Sequence, residues 1–256
     1  MELPAYAMHA GAPDTTCPGN LTMTERNATD RKKAQKPQPH LDSVVVTIEL
    51  TLISIVQGVA LHFLAIHSSD VLVGLQFTLW PYVVTGLVII FLFWSRSVLH
   101  TLTVIRWPLD FGHNFMYIAC ALVETITFTQ LTHPLHWYAL NALFGLMTWL
   151  LFILDLRMVR RRINERAGPP AGRLYEIVER EQLLNIKFLM PSTVVFNLLA
   201  MIAVIVWPAP LIRDGGHVII ALVQLAAASG YLLYVMRFFA RIVPLIEKTR
   251  QEWCEE

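Results

Sequence analysis

The residues best suited to chemistry lie inside an apolar stretch, where polar groups are costly. Between about 108 and 131, Asp110, Asn114, Tyr117, Ala121 and Glu124 fall on one side of a helix, with His113 and Thr125 at its edges. Positions three and four apart share a helix face, which is what aligns them. Charged and amide side chains in hydrocarbon need a partner or water. A ladder of such groups can pass protons or small cations from one group to the next. It can equally hydrogen-bond neighbouring helices in a bundle interior, with Asp110 solvated at an interface.

The stretch at 44–66 carries a second pattern. Thr47, Thr51, Ser54 and Gly58 recur at helical spacing, a seam that suits close helix packing or, alternatively, a hydroxyl-lined pore wall. Glu49 falls nearly opposite that seam, and Gln57 lies two turns beyond it. At about five residues inside the stretch, Glu49 either reaches headgroups or needs a partner, such as a basic loop residue or a second copy of the chain. Asn141, Asn197 and Gln224 each stand alone in their segments and read as packing hydrogen bonds. Asp155 beside Arg157 reads as an interfacial ion pair of little energetic weight.

Histidine gathers at one set of segment ends: His67, His133, His136 and His217, with His62 just inside. Such residues can sense acid pH or bind a metal, because imidazole changes charge near neutrality. Neutral histidine also accumulates on a translocated face simply because it escapes the penalty that Lys and Arg incur. His133-Pro-Leu-His136 is not a metal-ligand spacing. The chain holds no nucleophile elbow, phosphate loop, HExxH or CxxC motif. It also lacks a Thr-Val-Gly-Tyr-Gly filter and a regular arginine ladder. No catalytic residue, metal or cofactor is therefore expected, and the chain does not read as an enzyme.

The elements that must position these residues are apolar helices. Six stretches stand out, at about 44–66, 71–94, 108–131, 134–156, 188–207 and 217–240. Each provides the roughly 20 residues that span a hydrocarbon core. A hydrophobic content of 55% and a mean hydropathy of +0.51 exclude an ordinary soluble domain. The segments around the stretches hold, in order, five, none, two, none, eight, one and four Lys and Arg residues. Basic segments stay in the cytoplasm, so nineteen against one implies six crossings with both termini inside. The fold class expected is an all-α, multi-pass protein of a cell membrane.

Residues 1–42 read as a disordered cytoplasmic tail, 43–241 as the membrane domain and 242–256 as a second tail. The tail before 43 has no apolar run, so the first crossing is expected to serve as an uncleaved insertion signal. An inside N-terminus makes the glycosylation triplets at Asn20 and Asn27 accidental. Cys17, Cys120 and Cys254 are expected as free thiols. Tight outer turns are expected at His67-Ser-Ser-Asp70 and Thr132-His-Pro134. Pro81 either kinks the second helix or marks its start, and Pro208 and Pro210 end the fifth at Trp207. In the inner loop 157–187, Leu174, Ile177, Val178 and Leu184 space apolar residues as a short helix over 174–186. That helix would lie on the membrane surface or bind a cytoplasmic partner. The net charge of +1 gives no sign of a nucleic-acid partner.

Six helices, tight outer turns, cytoplasmic termini and no re-entrant filter loop resemble the bacterial and lysosomal potassium channels built from six-helix units. Residue matches are Trp94 and His100 at the inner end of the second helix and Asn114 in the third. In that family the first helix lines the pore and opens with an Arg…Phe-Ser-Asp signature, where this chain has Leu41-Asp42-Ser43-Val44. The family's gate is therefore not carried to any residue here. The expectation is an oligomeric channel or transporter for a small cation or protons, in contact with the lipid bilayer. Its relay candidates are Glu49, Thr51, Ser54, Gln57, Asp110, His113, Asn114, Tyr117 and Glu124. The alternative is a non-transporting scaffold that binds a partner or lipid through its basic loop and the 174–186 helix.

Overall fold

The computed structural model describes residues 39–103, 111–165 and 171–255, so residues 1–38 of the expected N-terminal tail, Pro108 and Asp110 lie outside the described residues, while 39–42 are helical. Among those described, the regular elements are all helical. They are α1 (Pro39–Val73), α2 (Trp80–Thr103), α3 (Phe111–Phe128), α4 (Pro134–Glu165), α5 (Ala171–Leu184), α6 (Met190–Val206) and α7 (His217–Glu255). Two π-helical turns, Asn185–Leu189 and Ala209–Arg213, flank α6. Five stretches are long and apolar enough to cross a membrane: Val44–Val73, Trp80–Thr103, Pro134–Arg161, Arg173–Val206 and His217–Lys248. The chain fits a helical membrane protein. Helix α3 is not among the five; its 18 residues include His113, Asn114 and Glu124, which lower its mean hydropathy.

Proline and glycine punctuate the chain where expected. Pro81 is the second residue of α2 and so marks its start, and Pro134 is the first of α4, positions where a missing N–H leaves no bond unmade. Trp207 caps α6 ahead of Pro208, and Gly215, at φ 79°, turns the chain into α7.

The link expected at His67–Asp70 is instead helical, and α1 runs on to Val73. Ser68 Oγ and Ser69 Oγ donate to the carbonyls of Ala65 and Ile66, at 3.2 and 2.7 Å, so a polar run here does not break the helix. The chain turns at Gly74–Leu79, with Leu75 in the left-handed region at φ 49°.

The stretch expected as an inner loop is also mostly helix. Helix α5 turns most of its apolar side into the bundle, with Leu184 exposed. Leu174 and Val178 are buried in one cluster with Leu99, Val159, Ile242 and Ile246, drawn from α2, α4 and α7. The stretch expected as a C-terminal tail supplies Ile242 and Ile246 to that cluster as part of α7. From α5 the chain continues into α6 through the π-helical turn without leaving helical geometry.

The closest backbone packing pairs α4 with α6, α2 with α7, and α3 with α4. At the other end of the bundle Tyr82, Phe128, Trp137 and Tyr138 form an aromatic core with Ala60 and Leu64 of α1. Gly86 admits this packing, since a Cβ there would stand 3.0 Å from Leu64 Cδ1 and 3.1 Å from Phe128 Cε1.

The helices are inside-out relative to a soluble bundle. On α3, Phe111, Phe115, Ile118, Leu122 and Ile126 form an exposed stripe, while His113, Tyr117 and Glu124 are buried. Helix α6 likewise exposes Val195, Leu199, Ile202 and Ile205 and buries Asn197. Exposed apolar surface on this scale is unfavourable in water and suits a lipid surround.

Candidate functional site

Six helices bring polar side chains together at the end of the bundle where α5 lies. Asp155 of α4 stands between two histidines: its Oδ1 is 3.0 Å from His113 Nε2 on α3, and its Oδ2 is 3.6 Å from His100 Nδ1 on α2. All three side chains are less than a tenth exposed, and the imidazoles stack with centroids 4.7 Å apart and planes inclined by 27°. Asp155 does not pair with Arg157. Residues two apart on a helix point in different directions, and Arg157 is exposed while Asp155 is buried.

The orientation of His113 is fixed from behind. Asn114 Nδ2 donates to Glu49 Oε1, which leaves Asn114 Oδ1 as the atom 3.3 Å from His113 Nδ1. The network thus assigns the N–H of His113 to Nδ1 and aims Nε2 at the carboxylate. A bare nitrogen lone pair and a carboxylate oxygen repel each other at 3.0 Å. That position therefore suits a cation, either a proton or a metal ion. His100 is buried with neither ring nitrogen hydrogen-bonded among the described residues; the 3.6 Å approach to Asp155 is too long to count.

A second network adjoins the first. Arg96 of α2 pairs with Glu181 of α5, both buried, and the guanidinium lies over the Phe152 ring, 4.9 Å from its centroid. Asn185 Nδ2 donates to Glu181 Oε1 at 2.6 Å, and Tyr231 Oη donates to Asn185 Oδ1 at 2.8 Å. These four residues tie α2, α5, the first π-helical turn and α7 together.

Further along α1, Gln57 Nε2 donates to Glu124 Oε2 at 3.2 Å. Glu124 is 1% exposed, and its other oxygen, Gln57 Oε1 and Tyr117 Oη have no hydrogen-bond partner among the described residues. The structure therefore gathers Glu49, Gln57, His113, Asn114, Tyr117 and Glu124 on inward faces. Thr51 and Ser54 are exposed, and each hydroxyl donates to its own helix, to the Thr47 and Leu50 carbonyls at 2.8 Å. The hydroxyl seam faces away from the bundle and lines nothing inside it.

A cavity of about 460 Å³ lies among α1, α2, α3, α4, α6 and α7. Its walls include Glu49, Arg96, His100, His113 and Asp155 at one end and Asn141, Asn197 and Gln224 at the other. These amides do more than glue helix pairs. Trp137 Nε1 donates to Gln224 Oε1 at 2.9 Å, and Gln224 Nε2 donates to Asn197 Oδ1 at 3.0 Å, linking α4, α7 and α6. Beyond them Tyr82 Oη lies 3.0 Å from His217 Nδ1 and 3.3 Å from Tyr138 Oη. Gln224→Leu is expected to leave the Trp137 N–H and the Asn197 carbonyl unpartnered and to destabilise the fold by about 1–3 kcal/mol. Thermal unfolding followed by tryptophan fluorescence checks this.

His100, Asp155, Arg96, Glu181, Asn185 and Tyr231 form the part of the site that spacing alone did not select. They come from four separate runs of sequence, around Arg96 and His100, Asp155, Glu181 and Asn185, and Tyr231, and the packing of α2 through α7 brings those runs together. Among the described residues, His62, His67, His133 and His136 stay apart from it and are exposed.

Apolar side chains outward and carboxyl groups inward, around a largely apolar cavity with polar residues at its ends, are features that fit the class of helical membrane proteins. Comparison with known protein families, with curated proteins and with solved structures returns no match, so the functional reading rests on the chemistry of the site.

Proposed function

We propose that the protein moves a small cation or protons across a membrane through its central cavity. The observation that carries this is the charge balance of the interior. Four buried carboxyl groups, Glu49, Glu124, Asp155 and Glu181, accompany one buried basic side chain of the Lys/Arg type, Arg96, among the described residues. Buried carboxylates need compensating positive charge, and Arg96 with Glu181 already accounts for one of each. The remaining acids mark positions that a mobile cation or proton can occupy in turn.

The path proposed runs from the His100–Asp155–His113 cluster through the cavity towards Asn197 and Gln224, with Glu124 and Gln57 as a side position. The six-crossing topology belongs to the same proposal. The exposed apolar stripe and buried polar stripe of α3 suit a helix that crosses lipid against protein neighbours, and the basic residues support cytoplasmic termini. The likeness to six-helix potassium channels agrees on cation movement but not on the route. That family lines its pore with the first helix, whereas α1 here turns Thr51 and Ser54 outward. The proposed cavity lies within one chain, so the path does not require a second copy. Leu174 and Val178 of α5 pack into the bundle, which supports the transport reading over a scaffold that binds through that side of the helix.

Reconstitution into liposomes tests the proposal, with internal dyes for protons, potassium and divalent ions. The full-length chain is expected to admit at least one of these above the rate of empty vesicles. Glu124→Gln, which removes the titratable carboxyl but keeps an amide partner for Gln57, is expected to change that rate roughly 10–100-fold. Vesicles as tight as protein-free controls towards all three would overturn the reading.

A further inference from the structure

We infer that His100, His113 and Asp155 form a binding site for a divalent transition-metal ion of the zinc or iron class. The inference deepens the cation reading above by naming the chemistry of one occupant. The three side chains come from α2, α3 and α4, all are buried, and their ligand atoms lie within 4.8 Å of one another. Metal–nitrogen and metal–oxygen bonds of about 2.0–2.2 Å place tetrahedral ligands about 3.4 Å apart. The contacts of Asp155, 3.0 Å from Oδ1 to His113 and 3.6 Å from Oδ2 to His100, lie on either side of that value, while the full set of ligand atoms spans up to 4.8 Å. An ion bound by all three would draw the ligand atoms closer together than that span.

Two independent observations favour a metal over a shared proton. A proton between His113 Nε2 and Asp155 Oδ1 satisfies that pair but leaves the buried His100 ring with no hydrogen-bond partner at either nitrogen among the described residues. One metal ion engages all three side chains. The support behind His113 is also that of a metal ligand. Ligating imidazoles are commonly oriented by a hydrogen bond from the other ring nitrogen, here His113 Nδ1 to Asn114 Oδ1, with Glu49 in turn holding Asn114. Two imidazoles with one carboxylate select zinc, iron or manganese over calcium and magnesium, which prefer oxygen ligands alone. The charges of Asp155 and the nearby Glu49 match a dication. The ligands face the cavity, so coordination positions beyond the three remain open to water or to cargo.

The test uses full-length protein without a polyhistidine tag, purified in detergent, stripped with chelator and titrated with Zn²⁺ by calorimetry and with Co²⁺ by visible absorption. The expected result is saturable binding of about one ion per chain, with a nitrogen/oxygen-type Co²⁺ spectrum and no competition from Mg²⁺ or Ca²⁺. His100→Gln, His113→Gln and Asp155→Asn are each expected to weaken binding at least roughly 10-fold, and the exposed pair His133→Gln/His136→Gln to leave it unchanged. Should a ligand variant aggregate, Asn114→Ala decides, since it touches no ion and is expected to cost roughly 10–100-fold in affinity by freeing the His113 ring. Absence of binding by the wild type, or loss that follows His133 and His136 instead, overturns the site. Binding is read at equilibrium without a membrane gradient. Binding without flux sinks only the transport reading, and flux without binding sinks only the metal site.

Discussion

Arg96→Met is expected to lower the unfolding temperature of the detergent-solubilised protein by roughly 6–20 °C, the largest stability effect of any single substitution away from the apolar core. The reason is the asymmetry of buried ion pairs. Keeping both partners can be close to neutral, but removing one strands the other charge away from water, at about 3–5 kcal/mol. Glu181 is buried and would keep only the Asn185 amide, which cannot neutralise it. The loss spreads because the pair joins α2 to α5, and Asn185 with Tyr231 extends the link to α7. Arg96 also lies over the Phe152 ring, a contact that methionine keeps only as apolar packing. The double variant Arg96→Met/Glu181→Met is expected to be more stable than Arg96→Met alone, since no charge is then stranded. Fluorescence-detected melting of the two variants and the wild type checks this. A single-variant loss of less than about 3 °C would mean that water reaches Glu181 freely.

How far this architecture was legible in the sequence depends on whether the signal is local. Pro134, Pro81, Trp207 before Pro208 and the Gly215–Gly216 pair mark helix ends through backbone chemistry that neighbours do not override. The His67–Asp70 run failed as a turn signal for a physical reason. Serine hydroxyls satisfy themselves on the preceding helical turn, so four polar residues carry no instruction to stop. The amphipathic pattern at 174–186 correctly implied a helix. It could not say whether protein or lipid covers the apolar side, because both are equally apolar. Leu99 and Ile242 supply the answer from distant segments.

The site divides along the same line. Periodicity on α3 and the opposite placement of Glu49 and Thr51 on α1 identified the residues that share a face. The direction in which the Thr51–Ser54 face looks is not encoded in its own spacing. Small hydroxyl residues that bond to their own backbone are as compatible with lipid as with a pore. Asp155 was obscured by its neighbour, since Arg157 offers an obvious partner in the sequence and none in space. Two buried polar positions, His100 and Asn185, stand among apolar or amphipathic residues with no local pattern. The Asp155 carboxylate that His100 faces and the Tyr231 hydroxyl that bonds Asn185 come from other helices.

Asp155→Asn is expected to bring cation entry into proteoliposomes close to the rate of protein-free vesicles. The carboxylate is the one anionic group set between two imidazoles on separate helices, and it borders the cavity. A unit charge at about 4 Å across an effective dielectric near 20 contributes about 4 kcal/mol to a neighbouring cation. Each 1.4 kcal/mol is about a factor of ten, so neutralising Asp155 lowers the occupancy of that position roughly a thousandfold. The amide is nearly isosteric and keeps a carbonyl that can accept a hydrogen bond, so helix content and gel-filtration behaviour are expected to stay at wild-type values. That separates loss of charge from loss of fold. Asp155→Glu restores the charge at a shifted position and is expected to recover part of the flux, which a purely structural role for Asp155 would not produce. If the Asn variant passes cations at the wild-type rate, the His100–Asp155–His113 cluster lies off the path and the cavity does not conduct through it.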